Sequence, residues 1–231
     1  MQHHIVFFTG AGISKASGLD TFRDADGLWS RFDVNEYASK EALFKDPVKV
    51  LQFYQQRKEQ IQRAQPNAAH RMISELQRSR FRVSVVTQNI DDLHERAGSN
   101  DVTHVHGNIM YTRPSDDSRP PEWSDAPMKY DVQTDAQGQK VFDRPDVVLF
   151  GEKVKDFEKA MDITRSADLF VIVGTTMTVQ PAASLLLAVP LDCQVVYIDP
   201  NPDVKEGINL LVLPETAEEG LRILIEELLP Q

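Results

Sequence analysis

One cysteine in 231 residues closes no disulfide within the chain, and it leaves no set of thiolates from which a cysteine zinc site is built. Positive charge is also in short supply. With 25 Lys and Arg against 35 Asp and Glu, the formal net charge is −10. That balance argues against general affinity for a phosphate backbone, which needs clustered cations to displace counterions, and it suits a cationic partner such as a lysine-rich peptide region. No apolar run approaches the roughly 18 residues of a membrane span. The chain enters an apolar stretch at His3-His4-Ile5-Val6-Phe7-Phe8, which leaves no room for a charged leader and a signal peptide. The expected location is cytoplasmic, with neither nucleic acid nor membrane as a partner. A composition of 41% hydrophobic and 26% charged residues is that of an ordinary globular chain, not a disordered or fibrous one.

Apolar runs of strand length alternate with helical patterns, which points to an α/β fold: a Rossmann-like parallel sheet with helices on both faces. The expected strands are Ile5–Phe8, Arg82–Val86, Val147–Phe150, Leu169–Val173, Val195–Ile198 and Leu210–Leu213. Their near-continuous Val, Ile and Leu content fits burial on both faces. Cys193 stands just before one of them and reads as a small core residue. A last helix is marked by Thr216 as its cap, Glu218 and Glu219 in its first turn, and Leu221, Leu224, Ile225 and Leu228 at helical spacing. Two segments break the alternation and read as a smaller inserted domain, 32–76 and 108–146, against a main domain of 1–31, 77–107 and 147–231. In the first, Pro47 and Pro66 each look like first-turn prolines. In the second, Met128–Val132 and Gln139–Phe142 flank Asp135-Ala136-Gln137-Gly138 as a hairpin, with Tyr111, Trp123, Tyr130 and Phe142 as its apolar burial.

Three blocks carry chemistry. After the first strand comes Gly10-Ala11-Gly12-Ile13-Ser14, then Thr21-Phe22-Arg23. The glycines permit positive φ and close backbone approach, so that amides at the next helix start can face a diphosphate, with Arg23 adding a charge-assisted contact. The spacing is not that of the ordinary dinucleotide fingerprint, because Gly18 comes late and no acidic strand end follows about twenty residues on. The second block, Thr87-Gln88-Asn89-Ile90-Asp91, ends a strand where open α/β sheets place ligands. The third is His106-Gly107, an imidazole able to take a proton at neutral pH. An isolated His before Gly is more often structural, and His70, His94 and His104 read so by the same standard. Further on, Gly174-Thr175-Thr176 follows a strand, and Asp199-Pro200-Asn201 ends another. A carboxylate there can accept from ribose hydroxyls and repel a 2′-phosphate, favouring NAD over NADP, although an Asp capping a proline-rich turn reads equally well.

Together the three blocks resemble the sirtuins, NAD-dependent protein lysine deacylases, and the resemblance runs from Val6 to the C-terminal helix. It implies NAD as the cofactor, held by Gly10, Ala11, Gly12, Ser14, Thr21, Phe22, Arg23, Gly174, Thr175, Thr176, Asp199, Pro200, Asn201 and Thr216, with a cofactor loop over roughly Ser14 to Trp29. Sirtuins usually place asparagine at the Asp199 position and serine at that of Thr176. The resemblance further implies that Ile90 and Asp91 read the nicotinamide amide, that Gln88 and Asn89 order the ribose side, and that His106 is the base, giving a catalytic set of His106, Asn89 and Gln88. The substrate is then an acylated lysine whose peptide strand lies between Phe150-Gly151-Glu152 and the segment around Val179. Lys153-Val154 departs from the proline-containing continuation of the family. Segment 108–146 stands where sirtuins carry a cysteine-bearing zinc module, and with no cysteine there no zinc is expected. Tyr54 and Arg57, three apart on one helix face, resemble the pair in sirtuins that remove succinyl and malonyl groups, although spacing alone reads as a core tyrosine beside a solvated arginine. Two other readings stay open: a sirtuin-shaped protein ADP-ribosyltransferase, and a non-catalytic NAD-binding module.

Overall fold

The computed structural model of the chain describes residues 3–21, 27, 31–176, 180, 182–202, 207 and 209–229. Among these residues eleven strands run β1 His4–Thr9, β2 Arg82–Thr87, β3 Val102–His104, β4 Gly107–Pro114, β5 Glu122–Trp123, β6 Gln133–Thr134, β7 Lys140–Val141, β8 Asp143–Val147, β9 Leu169–Val173, β10 Gln194–Ile198 and β11 Leu210–Leu213. Six of them form one parallel sheet in the order β11-β10-β9-β1-β2-β3. The middle strand β1 shows why the apolar runs are continuous: every one of its residues is buried. Ile5 and Phe7 face one way, towards the helices Ala68–Leu76 and Ala217–Ile223, while Val6 and Phe8 face the other, towards the helix Phe157–Arg165 and the 3-10 segment Ala182–Ala188. Alternation along a strand covered on both faces leaves no polar side to the sequence. Each fully buried Phe contributes about 1.5–3 kcal/mol through apolar area removed from water.

A further apolar cluster joins the helix Pro47–Arg63 to β4, β8 and the chain around Met128, through Val50, Leu51, Tyr54, Ile61, Ile109, Met128, Phe142 and Leu149. Pro47 opens that helix behind the cap Asp46, whose side chain accepts from the Lys49 amide. Polar side chains along the helix grip the opposite backbone. Gln55 accepts from the Met128 amide at 2.7 Å, Lys58 donates to the Ser124 and Ala126 carbonyls at 2.6 and 2.9 Å, and Gln62 donates to the Asp125 carbonyl at 3.2 Å. Lys58 is 1% exposed, so its charge is offset by carbonyl dipoles in place of water.

Several expectations need correction. Val147–Phe150 is not a strand of the parallel sheet: β8 ends at Val147 and pairs antiparallel with β4, and Phe150 makes a lone bridge to Ser39. The sixth parallel strand is β3, whose three residues are too few to register as an apolar run. Pro66 lies before its helix, because Asn67 is the cap and accepts from the Ala69 and His70 amides. The hairpin pairs Gln133–Thr134 with Lys140–Val141, so its first strand begins after Val132, and Asp135 orders the turn by accepting from the Gln137 and Gln139 amides. Phe142 is buried there, but Tyr111, Trp123 and Tyr130 are exposed, and helix residues fill the space they were expected to fill. Thr216 caps the last helix by accepting from the Glu219 amide, Leu221 and Leu224 are buried, and Leu228 turns outward where a π-turn over Leu224–Leu228 changes the helical phase. No helix among the described residues is long and apolar enough to cross a membrane.

His70 and His94 face each other with ring centroids 4.9 Å apart, both wholly buried. Burial lowers the His70 pKa to about 4 and holds His94 well below its ordinary value. A histidine kept neutral by the fold binds its proton in the unfolded chain first. Stability is therefore fully present above about pH 6.5 and is lost as the pH falls from there towards 4. Urea denaturation across that window is expected to show a loss of about 3 kcal/mol from His70. His70→Gln is expected to flatten the slope, with His94 retaining part of it.

Candidate functional site

The parallel sheet reverses its strand order between β1 and β9, so the loops leaving these two strands diverge and open a crevice at their carboxyl ends. The loops touch closely before they part. The Gly10 amide donates to the Val173 carbonyl at 3.0 Å and the Gly12 amide to the Gly174 carbonyl at 2.9 Å. A Cβ on Gly12 would stand 2.6 Å from the Gly174 Cα, and one on Gly10 would stand 2.8 Å from the Gly174 carbonyl oxygen. Close approach is thus the reason for both glycines. Positive φ is not: Gly10 is extended, and the left-handed residue is Gly174, at φ +61°.

From this contact a cavity of about 530 Å³ runs to the helix Pro47–Arg63. Its wall includes Gly10, Ala11, Gly12 and Thr21; Gln88, Asn89, Ile90 and His106; Gly174, Thr175 and Thr176; Asp199, Pro200, Asn201 and Thr216; and Tyr54, Arg57, Phe150, Gly151 and Glu152. One wall thus holds sequence-expected residues from eight separate stretches of chain. Ser14 and Asp91 stand behind it, 2% and 5% exposed. The Ser14 hydroxyl donates to Asp91 Oδ2 at 3.0 Å and accepts from Asn89 Nδ2 at 3.2 Å, while Asn89 Nδ2 also donates to the Gly10 carbonyl at 3.1 Å. Burial pushes the Asp91 carboxyl up from its ordinary value, opposed by the Leu93 amide and the Ser14 hydroxyl. Phe22, Arg23 and Val179 lie outside the described residues.

The segment Thr87–Ile90 is held by its carbonyls. Thr87 O accepts from the Val105 amide at 3.0 Å, Gln88 O from His106 Nδ1 at 2.9 Å, Asn89 O from His104 Nδ1 at 3.0 Å and Ile90 O from the Ile109 amide at 2.9 Å. A carbonyl only accepts, so these contacts fix ring protons on the Nδ1 atoms of both histidines. For His106 this leaves Nε2 as the basic nitrogen. Burial lowers its pKa, against the pull of the Gln88 carbonyl, so the ring is neutral at pH 7. The Gln88 side chain donates to Thr175 Oγ1 at 2.9 Å, and the Tyr197 phenol from β10 donates to the Thr175 carbonyl at 3.1 Å. Asp199 accepts from the Asn201 amide at 2.9 Å, the turn-capping role, while its residue also borders the cavity.

At the far end, Tyr54 and Arg57 are both buried. Burial raises the Tyr54 pKa and keeps the phenol protonated. Arg57 donates to the Asp20 carbonyl at 3.0 Å and to Gln60 Oε1 at 3.2 Å, so it is not a solvated arginine. Glu152 is bound on both oxygens to Arg144, at 2.5 and 3.0 Å, and accepts from the Leu149 amide at 2.9 Å. Although burial works the other way, Arg144 holds the Glu152 carboxyl below its usual range. The sequence reading missed Ala38, Phe53, Val147 and Leu149 on the wall. Phe53 belongs to an apolar helix stripe and reads as core, and Leu149 sits in a run mistaken for a sheet strand. Among the described residues, no group of three or more His, Cys, Asp or Glu is placed to hold a metal ion.

Comparison with known proteins places the site in context. Residues 10–181 match the Sir2 family model. The chain is 41% identical over 231 residues to an NAD-dependent protein deacylase of Bacteroides thetaiotaomicron, covering 98% of both chains. A crystal structure of a Sir2 homologue with NAD aligns with TM-score 0.83 at 36% identity, over 96% of this chain and 88% of that one. A Sir2 structure with a deacetylated p53 peptide and an acetyl ADP-ribose aligns with TM-score 0.78 at 27% identity, over 96% and 92%.

The loop contact makes Gly12 and Gly18 unequal. Gly12→Ala forces backbone against backbone and is expected to destabilise by about 1–3 kcal/mol. Gly18 has open space around it but φ +82°, so Gly18→Ala is expected to lose about 1 kcal/mol from strain alone. Urea unfolding compares the two, and a Gly12→Ala loss below that of Gly18→Ala would show that the loops part freely.

Proposed function

The chain belongs to the Sir2 family and is an NAD-dependent protein deacylase, and on that footing we propose that it acts on acyl-lysines ending in a carboxylate, succinyl and malonyl groups, as well as on acetyl-lysine. Tyr54 and Arg57 carry this reading. A protonated phenol and a guanidinium, both buried on one helix face and both bordering the cavity, form a receptor for a carboxylate. Two of the partners of Arg57, the Asp20 carbonyl and Gln60, are neutral groups that a charged carboxylate would replace.

The glycine contact supports the cofactor assignment. With no Cβ at Gly10 or Gly12, the loop after β1 packs directly on the Gly174 loop, and both loops border the crevice where a dinucleotide would lie. NAD, when bound, would supply the ADP-ribosyl acceptor for the acyl group and nicotinamide as the leaving group. In our assignment Asn89 and Gln88 orient the ribose side, each held from behind, Asn89 by Gly10 and Ser14 and Gln88 by Thr175. Asp91 acts through Ser14 and the Ile90 backbone, since its carboxylate lies behind the wall. His106 takes a ribose hydroxyl proton at Nε2, which is unprotonated because Nδ1 holds the Gln88 carbonyl. Its lowered pKa keeps the base form in place at neutral and mildly acidic pH. The extended peptide adds as a strand beside Phe150-Gly151-Glu152, a segment already bridged to Ser39 on its other edge and braced by the Arg144–Glu152 pair.

His106→Ala is expected to abolish NAD-dependent release of free lysine while the protein keeps its fold by circular dichroism. Mass analysis of the products tests the class as well, because ADP-ribose attached to protein in place of a free acyl-ADP-ribose would make the chain a transferase to protein. Arg57→Met tests the acyl preference. The contact it removes is of roughly 1.5–3 kcal/mol, so kcat/KM for a succinyl peptide is expected to fall about ten- to a hundredfold more than for an acetyl peptide. Equal losses on the two peptides would make Arg57 a tether of the Asp20 loop only.

A further inference from the structure

His104 and His106 are two residues apart and hold neighbouring carbonyls, yet their outer nitrogens differ. Among the described residues His106 Nε2 makes no hydrogen bond and its residue borders the cavity, whereas His104 Nε2 lies 2.6 Å from Glu95 Oε1. A carboxylate only accepts, so His104 donates from Nε2 as well as from Nδ1 to the Asn89 carbonyl, and an imidazole that donates from both nitrogens is an imidazolium. The strand end at His104 therefore carries a cation two residues before the neutral base in the turn that follows, and the difference between them is set by one carboxylate on the short helix Leu93–Arg96.

We propose that His104, held as an imidazolium between Glu95 and the Asn89 carbonyl, is a positioning residue that locks the Asn89 peptide and places a fixed positive charge beside Asp91. It touches neither cofactor nor substrate, being absent from the cavity wall, and acts through Asn89. The charged and titratable groups around it are Glu95 from the short helix, the buried Asp91 from the loop before that helix, and His94, whose charging the imidazolium opposes. Burial alone would strip the proton from His104, but Glu95, the Asn89 carbonyl and Asp91 together leave its pKa raised. The sign follows: below that raised pKa both ring nitrogens donate and the ring is charged; as the pH rises through it the ring keeps a single proton for two acceptors, the Asn89 carbonyl and Glu95, so the positive charge goes and the clamp weakens. Cofactor use therefore has an alkaline limit set by His104, separate from the acid limit set by protonation of His106.

This inference rests on the deacylase reading, and the test separates the two. The kcat/KM for NAD at saturating acyl-peptide, and NAD affinity by calorimetry, are measured from about pH 6 to about pH 10 for four proteins. The wild type is expected to weaken on the alkaline side, and Glu95→Gln to weaken at lower pH than wild type. His104→Asn, whose amide donates to the same carbonyl at any pH, is expected to keep most of the neutral-pH value and to lose the alkaline fall. His104→Leu is expected to lose about tenfold or more in kcat/KM for NAD at pH 7, with a smaller change in KM for the peptide. An alkaline limb left in place by both Glu95→Gln and His104→Asn would overturn the proposal, as would a His104→Leu enzyme within about twofold of wild type. Should His104→Leu not fold, the other two variants decide. A wild type that binds NAD but releases no lysine would refute the deacylase reading alone, because the pH dependence of NAD affinity still reads the clamp.

Discussion

Four consecutive carbonyls, from Thr87 to Ile90, are each taken by a donor from residues 104 to 109. A loop at the end of a strand ordinarily leaves such groups to water. Here the backbone is satisfied from behind, and Gln88, Asn89 and Ile90 all border the cavity. The arrangement also explains why so short a strand as Val102–His104 ends the sheet: its partner beyond Thr87 is a loop that it continues to hold, by ring nitrogens alternating with main-chain amides. Removing a ring donor exposes a carbonyl in a place with little water, at about 1–3 kcal/mol for an unsatisfied buried group.

Charge is arranged on the same plan. Beneath the Phe150–Glu152 side of the cavity, Arg144 is 2% exposed and is bound to Glu152 and the Val147 carbonyl, while Asp146 is shared by Arg113 and Lys155. Removing one member leaves a buried charge unpaired, which costs far more than an exposed pair is worth. The wall formed by Val147, Leu149 and Glu152 therefore rests on a set of ions whose members are fixed by one another, and Glu152 serves as a support of the site more than as a free acid facing it.

The sheet was legible because burial on both faces writes itself into the sequence as uninterrupted Val, Ile and Leu, as in β1, β9 and β10. The motif residues were legible because loops at a strand-order reversal need glycine and small polar groups whatever the rest of the chain does. What was hidden follows from partners distant in sequence. Val147–Phe150 has the composition of a strand but finds its neighbours in β4 and Ser39. Phe53 looks like core because a helix stripe does not say whether the other side is protein or cavity. The glycines were assigned to the right place for a partly wrong reason: close contact between two loops, visible only when Gly174 is seen against Gly12, takes the part given to positive φ. The role of His104 was invisible, since nothing in a sequence shows that Glu95 comes within 2.6 Å of it.

The grip of the helix Pro47–Arg63 on Ser124–Met128 has an evolutionary corollary. The hydrogen bonds of Gln55, Lys58 and Gln62 to this segment go to amide and carbonyl groups, which nearly every residue provides, with the Asp125 charge also acting on Lys58. The path of the stretch Ser124-Asp125-Ala126-Pro127 thus depends on the three helix residues more than on its own side chains, Asp125 apart. Relatives that keep this clasp will share a lysine buried in mid-helix and little recognisable sequence opposite it, so the module will look more divergent in alignments than it is in space.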